Sequence, residues 1–61
     1  MYRRLIVLLR EAGCTFVRPG KGSHEIWFSP RTQRTFSVPR NIKKTTTANG
    51  ILQQAGLPKA F

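Results

Sequence analysis

The sequence predicts a small α+β fold in the order α-β-β-β-α, with a three-stranded antiparallel sheet and two helices on one face. Three observations carry this. Apolar residues recur at helical spacing over the first dozen positions and stop at Gly13. Three short β-type runs follow, divided by turns that contain Pro and Gly. A second helical stripe closes the chain and ends at Gly56 and Pro58. With 61 residues, one domain spanning 1–61 is expected. So small a domain buries only about 60% of the surface its unfolded chain exposes. It cannot enclose a deep pocket, so any site is expected on a shallow surface.

Each element has its own warrant. Over Met1–Ala12, the residues Tyr2, Leu5, Ile6, Leu9 and Ala12 fall on one helical face, and Leu8 widens the stripe. Arg3, Arg4, Val7, Arg10 and Glu11 take the other side, and Gly13 stands where a helix-ending glycine belongs. Cys14–Arg18 is a short β-type run, and Pro19-Gly20-Lys21-Gly22 is a turn. Ser23–Ser29 is the strongest strand, with Ile26, Trp27 and Phe28 in succession. Ser29-Pro30-Arg31-Thr32-Gln33 turns the chain again. Arg34–Val38 is a third strand, with Phe36 and Val38 on one face, ended by Pro39. Thr45-Thr46-Thr47 offers hydroxyls for an N-cap, and Ala48, Ile51, Leu52 and Ala55 form the stripe of a last helix. Gly50 weakens that helix by about 1 kcal/mol relative to alanine. Short turns between successive strands imply an antiparallel meander. This is the arrangement of double-stranded RNA-binding domains, although arrangement alone does not define function.

Charge points to the partner. Eleven Lys and Arg face two Glu and no Asp, a net charge of +9. Such an excess speaks of binding rather than fold, and nucleic acid is the first candidate. An acidic protein that masks the same surface is compatible with it. The run Leu5–Leu9 is too short to span a bilayer and no cleavage site follows, so the chain reads as soluble, cytoplasmic and without a membrane partner. Arg18 and Lys21 flank the first turn, Arg31 and Arg34 the second. Arg40, Lys43 and Lys44 lead into the last helix, whose start adds backbone donors suited to a phosphate. A single surface charge is ordinarily just solvated, and only the collective excess points to function.

Alternation along the strongest strand puts His24, Ile26 and Phe28 on one face and Glu25, Trp27 and Ser29 on the other. Ile26 and Phe28 are the natural choice for the helix-covered face. That leaves Trp27 on the open face, where it would stack on a base or pack against strand neighbours. It also gives His24, the sole histidine, core parity, softened by its place at the head of the strand beside the Gly-rich turn. On the residues alone, a lone histidine there is more often structural than catalytic. Ser23 reads first as a turn hydroxyl, with a phosphate contact as the sharper alternative. Cys14 is alone, cannot form an internal disulfide, and reads as a small buried apolar residue. One His, one Cys and no Asp give no metal-ligand set, and no cofactor or metal is expected.

The segment Gly20–Phe28, then Ser37-Val38-Pro39-Arg40, then Ile51–Leu57 together resemble the HicA family of toxin–antitoxin systems. That family typically shows a leading amphipathic helix ending in glycine, here at Gly13, and a Gly-Ser-His motif, here Gly22-Ser23-His24. A Val-Pro follows the third strand, here Val38-Pro39, and the closing helix ends much like Ile51 to Gly56. The resemblance covers nearly the whole chain, and four motifs in order are fairly specific. It implies a fold like a double-stranded RNA-binding domain and an mRNA interferase that stops translation by cleaving mRNA. It implies that His24 is the functional residue and that a cognate, acidic HicB-like antitoxin covers it in a hetero-oligomeric complex. Lys21, Gly22, Ser23, Arg18, Trp27, Arg40, Lys43, Lys44 and Thr47 are then the expected RNA contacts. Two departures stand at the presumed RNA-facing edge. Asn41 replaces a frequent second histidine, and Thr46-Thr47-Ala48 stands for a frequent Gly-Thr-Leu.

Cleavage needs a base for the 2′-OH, an acid for the leaving 5′-oxygen, and cations for the phosphoryl charge. Histidine suits either proton role, with an unperturbed pKa of about 6.5. The alternative is a module that grips RNA through its basic surface and blocks translation without cutting. A weaker third is a DNA- or membrane-binding basic domain.

Overall fold

A computed structural model describes residues 1–61. Its elements are α1 (Tyr2–Glu11), β1 (Thr15–Pro19), β2 (His24–Ser29), β3 (Arg34–Pro39) and α2 (Thr45–Gln54). The strands lie side by side in the order β1-β2-β3, each pair antiparallel. This is the α-β-β-β-α order that periodicity and turn residues imply.

Both helices end in the same way. After α1, Gly13 takes φ +89°. Its N–H then reaches Arg10 O and the Cys14 N–H reaches Leu9 O, both at 2.9 Å. After α2, Gly56 N–H bonds Gln53 O and Leu57 N–H bonds Leu52 O. These paired bonds satisfy carbonyls that the helix leaves open, and each brings an apolar residue, Cys14 or Leu57, back onto the core. The start of α2 differs from expectation. Lys44 occupies the N-cap with no side-chain hydrogen bond. The helix begins at Thr45, so the three threonine hydroxyls lie past the position from which a side chain caps.

The core lies between the helices and one sheet face. Leu5 and Leu9 come from α1, Trp27 from β2, Phe36 and Val38 from β3, and Ile51, Leu52 and Ala55 from the second helix, with Cys14 beside them. The helices pack on one another, and α2 packs on β3. No helix is long and apolar enough to cross a membrane.

The face assignment of β2 is the reverse of the expected one. Trp27 is 2% exposed and Ser29 fully buried, whereas His24 is exposed and Ile26 and Phe28 are half-buried. Register explains the reversal. Trp27 stands opposite Phe36, and Glu25 opposite Val38, so the core parity of β3 dictates that of β2. The polar members of the covered face are satisfied. Ser29 Oγ donates to Ala55 O at 2.7 Å and accepts from the Arg31 N–H at 3.2 Å. Glu25 Oε1 accepts from Tyr2 Oη at 2.6 Å and from Trp27 Nε1 at 3.1 Å. Buried polar groups with partners cost little, so Glu and Ser can occupy the inner face.

Candidate functional site

The hairpin between β1 and β2 builds the site. Gly20 N–H donates to His24 O at 2.8 Å, and His24 N–H donates to Lys21 O at 3.2 Å. Gly20 is there because a Cβ would lie 3.2 Å from both the Cβ and the carbonyl oxygen of His24. Gly22 is there because its φ is +63°, a conformation that costs a side-chain-bearing residue about 1–2 kcal/mol. The turn therefore delivers His24 to the first position of β2 with its side chain on the open face.

His24 stands opposite Pro39, and Ile26 opposite Ser37. On that face His24 Nδ1 lies 2.8 Å from Ser37 Oγ. Lys21, Gly22, His24, Ile26 and Ser37 line one shallow depression. It holds a proton carrier, a hydroxyl and a cation on an apolar floor. The other ring nitrogen, Nε2, has no hydrogen-bond partner within the chain.

The remaining expected residues are placed around this centre with different closeness. Ser23 flanks it, with Oγ donating to Asn41 Oδ1 at 3.5 Å and its carbonyl accepting from the Arg40 N–H at 3.0 Å. Arg18 is exposed and pairs with Ile26 after a bulge in β1, which puts it on the His24 face. Lys43, Lys44 and Thr47 are exposed around the start of α2 and do not line the depression. Arg40 is exposed and lies beside Ser23, its backbone N–H on the Ser23 carbonyl. Trp27 is the expected contact that the structure removes. Its ring lies inside the fold, edge-on to Phe16 and under the Arg10 guanidinium, and offers no face to a base on the His24 side. Ser37 is the residue that sequence reasoning missed. It lies one diagonal step from His24 across the β2–β3 ladder.

The carboxylates stand apart from this centre. Glu25 faces the helices in contact with Tyr2 and Trp27. Glu11 lies at the other end of the molecule beside Leu8 and Arg31. No three His, Cys, Asp or Glu side chains cluster as a metal site would need.

An open sheet face carrying one exposed histidine beside Lys21, on an α-β-β-β-α frame, defines a small basic α+β protein with a shallow surface site. The family model described as HicA toxin of bacterial toxin-antitoxin matches residues 2–57. The chain therefore belongs to the HicA toxin family, a family that works as the toxin of a toxin–antitoxin pair. No curated protein and no solved structure shows a significant match to it.

Proposed function

We propose that this toxin is an endoribonuclease that cleaves mRNA in the cytoplasm and so inhibits translation, with His24 as general acid/base. The observation that supports it most is the placement of the one histidine. It is exposed, its Nδ1 is held by Ser37, and its Nε2 is free toward a depression that also holds Lys21. In the proposed step Nε2 takes the proton of a 2′-OH. The 2′-oxygen then attacks the adjacent phosphorus, the P–O5′ bond breaks, and the leaving 5′-oxygen takes a proton from water. The products are a 2′,3′-cyclic phosphate and a 5′-OH. Lys21 and Arg18 steady the phosphoryl charge. The step needs a base, an acid and cations, and calls on no metal. An acidic antitoxin of the HicB kind covers His24 and the depression in the resting complex.

His24→Ala tests the reading. One acid–base group contributes typically about 10²–10⁴-fold, so cleavage of a defined mRNA should fall by that factor. RNA affinity should change little, because the charge stays. Equal growth arrest from both chains with mRNA intact would instead make the toxin a binding module.

A further inference from the structure

We infer that the free edge of β1, together with the groove between it and α1, docks an acidic, extended segment of the antitoxin by strand addition. The inference rests on the chain's membership of a toxin–antitoxin family and is independent of cleavage. Strand β1 lies at the edge of the sheet, all five of its residues are exposed, and neither helix packs extensively on it. Only four large apolar residues of the chain are exposed, and two are consecutive here: Phe16 at 48% and Val17 at 49%. Phe16, opposite Trp27, lies on the helix side of the sheet, and Val17 sits beside it in the bulge, so the edge presents two adjacent exposed apolar side chains. An added strand would cover both at once and satisfy the unpaired backbone groups of the edge. Nucleic acid fits less well, because Val17 offers nothing for a base to stack on.

The groove on the helix side is already shaped. Phe16 stands edge-on to Trp27, with centroids 6.1 Å apart, and the Arg10 guanidinium lies 5.6 Å from the Trp27 ring centre. Arg10, Cys14, Thr15, Phe16 and Trp27 line it, and no carboxylate does. Its only charge is therefore positive, and a carboxylate on the incoming strand is the complement. The bulge between Phe16 and Arg18 limits regular pairing to the first half of β1. The docked segment is accordingly short, and the interface adds to whatever contact covers His24.

The experiment measures binding of the purified antitoxin encoded with the toxin to the parent chain, to the double variant Phe16→Ser, Val17→Ser, and to Arg10→Glu. Circular dichroism checks folding, and hydrogen exchange follows the β1 amides in free and bound parent. The proposal expects at least tenfold weaker binding for each variant, RNA cleavage within about twofold of the parent, and slowed exchange at Thr15–Val17 in the complex. Exchange in the unmodified parent keeps the test valid even if a variant unfolds. Parent-like affinity of folded variants, β1 amides that exchange equally in both states, or no complex at all would overturn it. So would variants that lose RNA affinity while keeping the antitoxin's.

Discussion

His24 Nδ1 and Ser37 Oγ meet at 2.8 Å across the β2–β3 ladder, on the sheet face that no helix covers. A serine hydroxyl can accept from Nδ1–H, which leaves Nε2 unprotonated and ready to take a proton. The same bond persists once the ring is protonated, because an imidazolium donates through both nitrogens. Ser37 thus acts as a positioning residue on the proposed mechanism. A net hydrogen bond of about 0.5–1.5 kcal/mol corresponds to roughly two- to tenfold in rate. Ser37→Ala should lower kcat by that factor with KM unchanged, and Ser37→Thr should restore it. Nitrogen NMR of the ring should show Nδ1–H dominant in the parent and a tautomer mixture in Ser37→Ala. A parent-like rate and tautomer in Ser37→Ala would remove Ser37 from the mechanism.

Trp27 joins Leu5, Leu9, Phe36 and Leu52 in the core and donates to Glu25. Truncating a buried tryptophan costs about 3–5 kcal/mol, comparable with the whole stability of a marginal domain. Trp27→Ala should therefore lose its cooperative thermal transition in circular dichroism. Trp27→Phe keeps most of the apolar contact and should remain folded with a lower Tm. Its RNA affinity should stay within about twofold of the parent, since the ring does not face the His24 side. Lost RNA binding at an unchanged Tm would contradict the buried placement.

The element order was legible in the sequence because it depends on local signals: two helical stripes, three β-type runs and the glycines and prolines between them. The face of β2 was not read correctly because Ile26, Trp27 and Phe28 are apolar in succession, so alternation gives no decision. The deciding signal was nonlocal. Phe36 and Val38 share the core face of β3, and a four-residue loop joins Ser29 to Arg34 as a facing pair. Counting back from that pair sets Trp27 against Phe36 and Glu25 against Val38. It also frees His24 from its core parity and brings Ser37 beside it. Glu25 can occupy the inner face because Tyr2 and Trp27 supply its two donors.

The two glycines before His24 serve different ends, and substitution should separate them. At Gly22 an added Cβ meets nothing within 4 Å, so the penalty lies in the backbone at φ +63°. Gly22→Ala should cost about 1–2 kcal/mol in urea unfolding, and Gly22→Asn less, since asparagine tolerates that region better. At Gly20 the Cβ would press on the His24 Cβ and carbonyl at 3.2 Å. The carbonyl is held by the Gly20 N–H, so the head of β2 must shift. Gly20→Ala should reduce cleavage more than its loss of stability explains. Equal Tm losses in Gly22→Ala and Gly22→Asn would show that φ is not what selects glycine at Gly22.

Tyr2 ties the start of α1 to the residue after His24 through its 2.6 Å bond to Glu25. Partial burial pushes the Tyr2 pKa above its ordinary 10.0, and the bond and charge of Glu25 push the same way, with Arg40 and Arg10 opposing. The folded chain therefore holds this proton more tightly than the unfolded chain. The stabilisation is fully present below pH 10.0 and is lost as pH rises through the folded-state value. Ionised Tyr2 would face the Glu25 carboxylate without a proton to share. Tyr2→Phe lacks both the bond and the titration. Its Tm should lie below the parent's at neutral pH, and the gap should narrow as pH climbs past about 10. A gap that stays constant from about pH 8 to about pH 12 would show that the proton on Tyr2 contributes nothing to holding α1 against β2.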